Sequence, residues 1–402
     1  MKTVAAAIEF GTSKIITLIA ESGSFTRCEI IGSGTVPYSG YCDGRWNNQE
    51  ELLSAVEASI QAAEAEARRR IHEIYVGVPC ENINVVTAIG ETEILSEDGR
   101  VGDDEITRVM DAAADQLNLA ESGLCVLHRS PAWFSVDGGK RTMSPINSRG
   151  KVLTALVSFI QADPQFISET RSLLADLDIE VKAYMAPALG SALLLLSFDE
   201  RDRRPVLVDV GYLNTEISVI EGDAITYHAT VPRGSGDITA ELAASLETTM
   251  NEAETVKRNY IFTPDQFEEQ SDPQVELEDG SVVAFPRKFV SEVVEQETDQ
   301  IIALIKEHLD YAQEEELITP KSQVYVTGGG LVNMRGSREY LSEKLARPVK
   351  IPMVKAARLN NPRYSNALGL MDQVFDAVEQ QAYNASSQGG GALSGLKNIF
   401  KK

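Results

Sequence analysis

The sequence predicts an α/β chain built from two related lobes, and three stretches carry that prediction. Val4–Ala20 reads as strand, tight turn, strand: Val4 to Glu9 is apolar, Gly11-Thr12-Ser13 can turn, and Ile15 to Ala20 is β-branched and apolar again. Val206–Ile220 repeats this grammar about two hundred residues later, with Asp209, Gly211 and Thr215 in corresponding places. A third run, Val324–Gly336, carries three consecutive glycines, Gly328, Gly329 and Gly330, behind another β-rich segment.

A turn of Gly, Thr and Ser leaves backbone N–H groups able to converge on an anion such as phosphate. Glu9, at the end of the first strand, would repel that anion unless a cation such as Mg²⁺ lay between them. Two such hairpins point to halves that face each other across a nucleotide. Three glycines in a row let the backbone approach a flat or charged ligand closely.

At 402 residues the chain is long enough for two or more domains. The net charge of −23 argues against nucleic-acid binding, which needs a basic footprint. Cys28, Cys42, Cys80 and Cys125 form no CxxC pair and the four histidines are scattered. A structural zinc site is therefore not expected, and reduced thiols in a cytosolic chain are. The apolar start is interrupted by Glu9 and lacks a basic leader. The longest apolar run, Ala183 to Phe198, is short of a bilayer span and reads as a buried helix.

In order, Cys28–Pro37 reads as a third strand, Gly40–Asn48 as a polar loop, Gln49–Arg70 as a helix and Glu73–Pro79 as a core strand. The Arg68-Arg69-Arg70 run is read as favouring the helix C-terminus. From Glu81 to Ser158 the texture changes to a small α+β insert: strands at Ile83–Ile89, Glu91–Leu95, Gly123–Arg129, Trp133–Val136 and Lys151–Ser158, with a helix at Asp103–Leu117. Helices follow at Ile167–Asp176 and Ala186–Leu196. The second half repeats the plan with a hairpin at Pro205–Gly222 and a strand at Asp223–Val231. Arg233–Thr239 then opens a helix. Its small residues Gly234 and Gly236 suit either an anion site or an ordinary N-cap with Ser235 or Asp237, two readings of equal weight. Helix Asn251–Tyr260 carries Glu254 and Lys257 at i,i+3, which by itself predicts a surface ion pair of small energy. A polar stretch, Thr263–Asp279, with a short hairpin around Gly280, precedes a long helix at Val290–Glu314. Helix Ser337–Ala346, strand Val349–Ile351 and helix Ser365–Ala377 complete the folded part.

The last residues differ in kind. Tyr383–Gly391 has linker composition. Beyond it, a helix would place Leu393, Leu396, Ile399 and Phe400 on one face, with Lys397, Lys401 and Lys402 on or beside the other. A basic apolar helix on a tether, in so acidic a chain, fits an anionic membrane surface. Eleven residues bind marginally, so several copies would act together, which points to a polymer.

The order of these parts resembles the FtsA family of bacterial cell-division proteins, within the actin-like ATPase superfamily, over nearly the whole chain. That resemblance implies a two-lobed actin-like fold: 1–80 and 159–204 as the first lobe, 81–158 as an insert, and 205–382 as the second lobe with a smaller subdomain at about 240–315. Residues 383–391 would be the linker and 392–402 the amphipathic membrane helix. It implies ATP and Mg²⁺ as ligands. Phosphate loop 1 would be Gly11, Thr12, Ser13 and Lys14, and loop 2 Gly211, Tyr212, Asn214 and Thr215. Gly234 and Gly236 would complete the phosphate side. Glu254 and Lys257 would reach ribose and adenine, Gly328–Gly330 and Met334 the adenosine, and Glu9 and Asp209 the magnesium through water.

It also implies partners: the FtsZ tail peptide, further copies of the chain, other division proteins and the inner face of the cell membrane at the division site. The sequence departs from the family's pattern where Glu9 replaces Asp. It departs again where Tyr212, Leu213 and Asn214 replace small residues of loop 2, and where Glu297 aligns with a frequent Arg in the peptide-receiving region. A weak or absent ATPase is the resulting expectation. The runner-up is a pilus-assembly scaffold of the PilM type. A small-molecule kinase would have no use for the tail, and a chaperone would need a further domain.

Overall fold

The computed structural model describes residues 3–23, 27–42, 45–262, 272, 274–276, 280–354 and 358–387. Its first hairpin follows from the apolar runs on either side of Gly11. Strand β1 (Val4–Phe10) pairs antiparallel with β2 (Lys14–Ser22), Ala7 opposite Leu18, and both bury most of their side chains. Strand β3 (Cys28–Pro37) extends the sheet, and its glycines admit the next helix. A Cβ on Gly34 would stand 1.8 Å from the Ser59 carbonyl oxygen, so only glycine lets helix α1 lie this close. The segment between them is not wholly loop: β4 (Tyr41–Cys42) and β5 (Arg45–Trp46) form a small ribbon. Trp46 packs edge-on to Phe10 with centroids 5.2 Å apart.

Helix α1 (Gln49–Ala67) starts where the Asn48 side chain accepts the Glu51 N–H and ends where Arg68 turns left-handed at φ 52°. It is therefore shorter than the expected Gln49–Arg70. Of the arginine run, Arg70 reaches back to Glu64 at 2.8 Å, and Glu64 also accepts the Ile71 N–H. Strand β6 (Glu73–Gly77) runs parallel to β1.

The insert is a three-stranded sheet, β7 (Ile83–Glu93), β9 (Val152–Ala162) and β8 (Cys125–Val136), with β9 in the middle. Helix α2 (Asp103–Asp115) covers it over Val109, Met110, Leu153, Val157 and Phe159. Two strand breaks expected from Gly90 and Pro131 are absent. Gly90 sits mid-strand because a Cβ there would meet the Val109 carbonyl at 2.0 Å, and Pro131 is carried at a bulge on an edge strand. Helix α3 (Pro164–Ala175) returns the chain to the first sheet.

The run Ala183–Phe198 is not one helix. Strand β10 (Glu180–Met185) takes its beginning and pairs parallel with β6, before Pro187 opens helix α4 (Pro187–Leu195). Proline disfavours helix in the residue before it, which sets the boundary. A short helix, α5 (Phe198–Arg201), follows.

The second half rebuilds the sheet from β11 (Val206–Val210), β12 (Thr215–Glu221), β13 (Ala224–Val231), β16 (Val324–Thr327) and β17 (Val349–Lys350). The strand orders, β3-β2-β1-β6-β10 and β13-β12-β11-β16-β17, are the same, hairpin side first and parallel side last. Helices α6 (Ser235–Leu246), α7 (Met250–Asn259), α8 (Arg287–Glu314) and α9 (Ser337–Leu345) lie between and after the second sheet's strands in the chain, α6 packing on α7 and α8, with a ribbon β14 (Gln274–Glu276) and β15 (Val282–Ala284) before α8.

The chain divides into two compact units, one of 1–204, 219–228 and 366–402, the other of 205–218 and 229–365. The last helix, α10 (Ser365–Ser387), thus groups with the first unit from residue 366, not with a second lobe running to 382. Its backbone meets α4 at two glycines: a Cβ on Gly369 would lie 2.3 Å from the Ser191 nitrogen. Arg27 ties it further to Asp372 at 3.1 Å and Asp376 at 3.3 Å. Because α10 continues to Ser387, the first five residues of the expected linker 383–391 are helical; no glycine interrupts them before Gly389. The tail residues Leu393, Leu396, Lys397, Ile399, Phe400, Lys401 and Lys402 lie outside the described residues.

Candidate functional site

The duplication extends to single hydrogen bonds. Between β1 and β2, the Gly11 N–H donates to the Lys14 carbonyl at 2.9 Å; between β11 and β12, the Gly211 N–H donates to the Asn214 carbonyl, also at 2.9 Å. Glu9 and Asp209 stand two residues before these glycines, Thr12 and Tyr212 one residue after. In the first unit Thr12 is buried, and the Ser13 carbonyl accepts the Tyr38 N–H at 3.1 Å. Lys14 opens β2 half-buried.

In the second unit the loop closes on helix α6. The Ser235 N–H donates to the Gly211 carbonyl at 3.0 Å and the Gly236 N–H to the Tyr212 carbonyl at 2.6 Å. The Gly234 N–H donates to the Asp237 carboxylate at 2.8 Å. These are the amides that a helix N-terminus otherwise offers to an anion. Of the two equal readings, the geometry is that of a capped helix, and neither Ser235 nor Asp237 is the cap residue: Gly234 is, with Asp237 completing a box. Thr215 is fully buried, its hydroxyl donating to the Arg233 carbonyl at 2.8 Å.

Glu254 and Lys257 are not the surface pair their spacing alone predicts. The Lys257 side chain is 3% exposed, and its ammonium meets the Ser235 carbonyl at 2.9 Å, Thr239 Oγ1 at 2.7 Å and Glu254 Oε2 at 2.6 Å. An ammonium has three N–H donors, so all three point inward. Burial lowers the Lys257 pKa, with Glu254 opposing it. Burial alone would raise the Glu254 carboxyl, but Lys257, Thr239 and Arg258 outweigh it and hold the carboxyl below its ordinary value.

The glycine triplet divides by role. A Cβ on Gly328, whose φ is +93°, would stand 2.2 Å from Asp209 Oδ1, and one on Gly330 would stand 2.6 Å from the Val210 carbonyl. Those two glycines let the loop lie on β11, while Gly329 is exposed. Met334 is buried at the end of the same loop. Glu297, expected in a peptide-receiving region, is also buried. It accepts from Arg233 Nη2 at 2.7 Å and Gln300 Nε2 at 2.6 Å. Sequence reasoning missed the Arg233–Glu297 pair. Opposite charges at the entry to one helix and within another were the available signal, without a register to join them.

No group of three or more His, Cys, Asp or Glu residues able to hold a metal occurs among the described residues. A nucleotide fits the first-unit turn as arranged, with small residues at Gly11–Ser13 and a lysine beside them. It does not fit the second-unit set as arranged, where the α6 amides of Ser235 and Gly236 and the Lys257 ammonium are committed internally.

Two sheets of one strand order, each opened by a hairpin with a glycine turn and one with an insert after its fourth strand, define an actin-like two-lobed protein. Solved structures agree on the fold. The PilM-PilN type IV pilus biogenesis complex is 14% identical with a TM-score of 0.64, covering 92% of this chain and 98% of that one. MreB5 of Spiroplasma citri bound to ADP is 11% identical with a TM-score of 0.55, covering 94% and 98%. In sequence, residues 206–369 match the family described as "Cell division protein FtsA". The cell division protein FtsA of Pseudomonas aeruginosa is 26% identical over 407 aligned positions, 97% of this chain and 95% of its own length. That of Escherichia coli is 24% identical over 90% of this chain and 88% of its own length. The chain is thus similar to cell-division proteins FtsA along nearly its whole length, and its fold is actin-like.

Proposed function

We propose that this protein is a membrane-tethered scaffold for the division ring. It assembles with copies of itself, holds the FtsZ tail peptide and other division proteins, and attaches to the inner face of the cell membrane at the division site through residues 392–402. The observation that carries the reading is the similarity to a cell-division protein FtsA along 97% of the chain. The tail composition supports the attachment: four apolar anchors and three lysines at helical spacing follow a body of strongly acidic composition. No helix among the described residues is long and apolar enough to cross a membrane.

ATP and Mg²⁺ are its proposed ligands, with turnover weak or absent. Gly11–Lys14 would hold phosphate, and magnesium beside Glu9 would offset the repulsion between phosphate and carboxylate. The likeness to the PilM-PilN complex shows the fold alone and leaves the pilus-scaffold reading second.

Co-sedimentation with anionic phosphatidylglycerol vesicles tests the proposal, comparing the full chain with a chain ending at Ser387. Pelleting of the full chain alone is the expected result. If both stay in solution, the membrane role fails, and a pilus-type peptide scaffold takes its place.

A further inference from the structure

The aromatic ring in the second turn has no counterpart in the first, where Thr12 holds the matching place. Tyr212 folds onto helix α6. A Cβ on Gly236 would stand 2.9 Å from the ring's Cε1, so the ring rests against bare backbone at the helix start. Its face lies 5.6 Å from the Lys257 ammonium, a cation–π distance, and Thr239 shares a hydrogen bond with its hydroxyl. The same residue's carbonyl caps the Gly236 N–H. Tyr212 thus covers, with one side chain, the helix N-terminus and the cation that an anionic, planar ligand would use. Burial, and then the charges of Glu254 and Asp237, raise its phenol, which stays neutral and keeps the cation–π face intact.

We infer that Tyr212 is a built-in occupant of the nucleotide position in the second unit, so that a nucleoside di- or triphosphate takes the ring's place against the Gly236 backbone and beside Lys257 only after the ring swings away. This rests on the proposed reading of the glycine loops as nucleotide-facing. The Gly236 and Lys257 contacts hold the ring in, and a ligand gains access only in the fraction of molecules with the ring out. Apparent affinity falls by that fraction. The fold of the second unit then needs no nucleotide to complete it, because Tyr212 and Glu254 already partner the groups a ligand would meet.

The test is calorimetric titration of Mg·ATP and Mg·ADP into the full chain, Tyr212→Ala and Tyr212→Phe. The alanine variant keeps the carbonyl cap and loses only the ring. It should bind at least about tenfold more tightly than the native chain, while the phenylalanine variant should stay as weak as the native chain. Equal tight binding by all three would overturn the inference and leave the loops as a nucleotide site. Binding by none of the three would overturn the nucleotide reading of the loops as well. Should the alanine variant fail to fold, fluorotyrosine NMR of the native chain decides. The resonance assigned to Tyr212 by its loss in Tyr212→Phe must shift whenever nucleotide binds; saturation with that resonance unmoved refutes the gate.

Discussion

Replacing Lys257 with methionine is the most informative perturbation of the second unit's interior. The stem survives and the ammonium goes. Glu254, its side chain 22% exposed, then keeps a buried charge whose closest cation has vanished. Removing one partner of a buried pair costs about 3–5 kcal/mol. Two features of this site reduce that figure. Arg258 still reaches Glu254 Oε1 at 2.8 Å, and the Thr239 hydroxyl still donates to Oε2 at 2.6 Å. A loss of about 2–3 kcal/mol is therefore expected for Lys257→Met. Glu254→Gln in the same chain removes the stranded charge. The double variant should then be less destabilised than the sum of the singles by about 1 kcal/mol or more. Native-state hydrogen exchange read on peptides spanning α7 is the suitable assay, because a two-unit chain need not unfold in one step. At about 1.4 kcal/mol per decade, protection in α7 should fall by about 30- to 150-fold in Lys257→Met. A fall of less than about threefold, or singles that simply add, would refute the buried-pair account and return Glu254 and Lys257 to the surface.

Two further outcomes follow from the first unit. Gly34→Ala should lower the melting temperature and speed exchange along β3 and α1, since its Cβ would stand 1.8 Å from the Ser59 carbonyl; overpacking of this kind costs about 1–3 kcal/mol or more. A melting temperature unchanged within a degree would mean α1 moves off the sheet freely. Stability should also fall with pH across the histidine range. Burial lowers both His128 and His228 to about 4, below the ordinary 6.5. The unfolded chain then binds more protons between those values, so stability is full above about 6.5 and drains as pH falls toward 4. His128 has a geometric reason: its Nε2 accepts the Ala186 N–H at 3.1 Å, which a protonated ring cannot do. Thermal melts at intervals from pH 7.5 to 4.5 read the slope, and a flat profile would contradict the burial of these rings.

Local pattern carried much of the fold into view. The runs Val4–Glu9, Ile15–Ala20 and Cys28–Pro37 appear as strands, because apolar and β-branched runs on either side of a small-residue turn favour pairing. The repeat at Val206–Ile220 showed in sequence because two turns of the same geometry demand glycine at the same place, Gly11 and Gly211. Where the reading slipped, a remote contact had overruled a local signal. Gly90 reads as a break and is instead the clearance for α2; Pro131 reads as a break and is absorbed by a bulge. Strand β10 takes the first residues of the apolar run Ala183–Phe198, Ala183–Met185, where apolar character alone does not separate strand from helix.

The candidate site divides the same way. Sequence alone determined which residues cluster in short turns and helix starts, because those depend on spacing of a few positions: Gly11–Lys14, Gly211–Thr215, Gly328–Gly330. Only the tertiary structure decided what each group does there. Spacing made Glu254 and Lys257 a pair, but burial made them a closed one, with every ammonium donor turned inward. Composition made three glycines a flexible approach, whereas the proximity of β11 gives two of them a packing task. The cause is common to both: hydrogen-bond donors and free volume are shared among segments distant in sequence, and only the folded chain fixes who takes them.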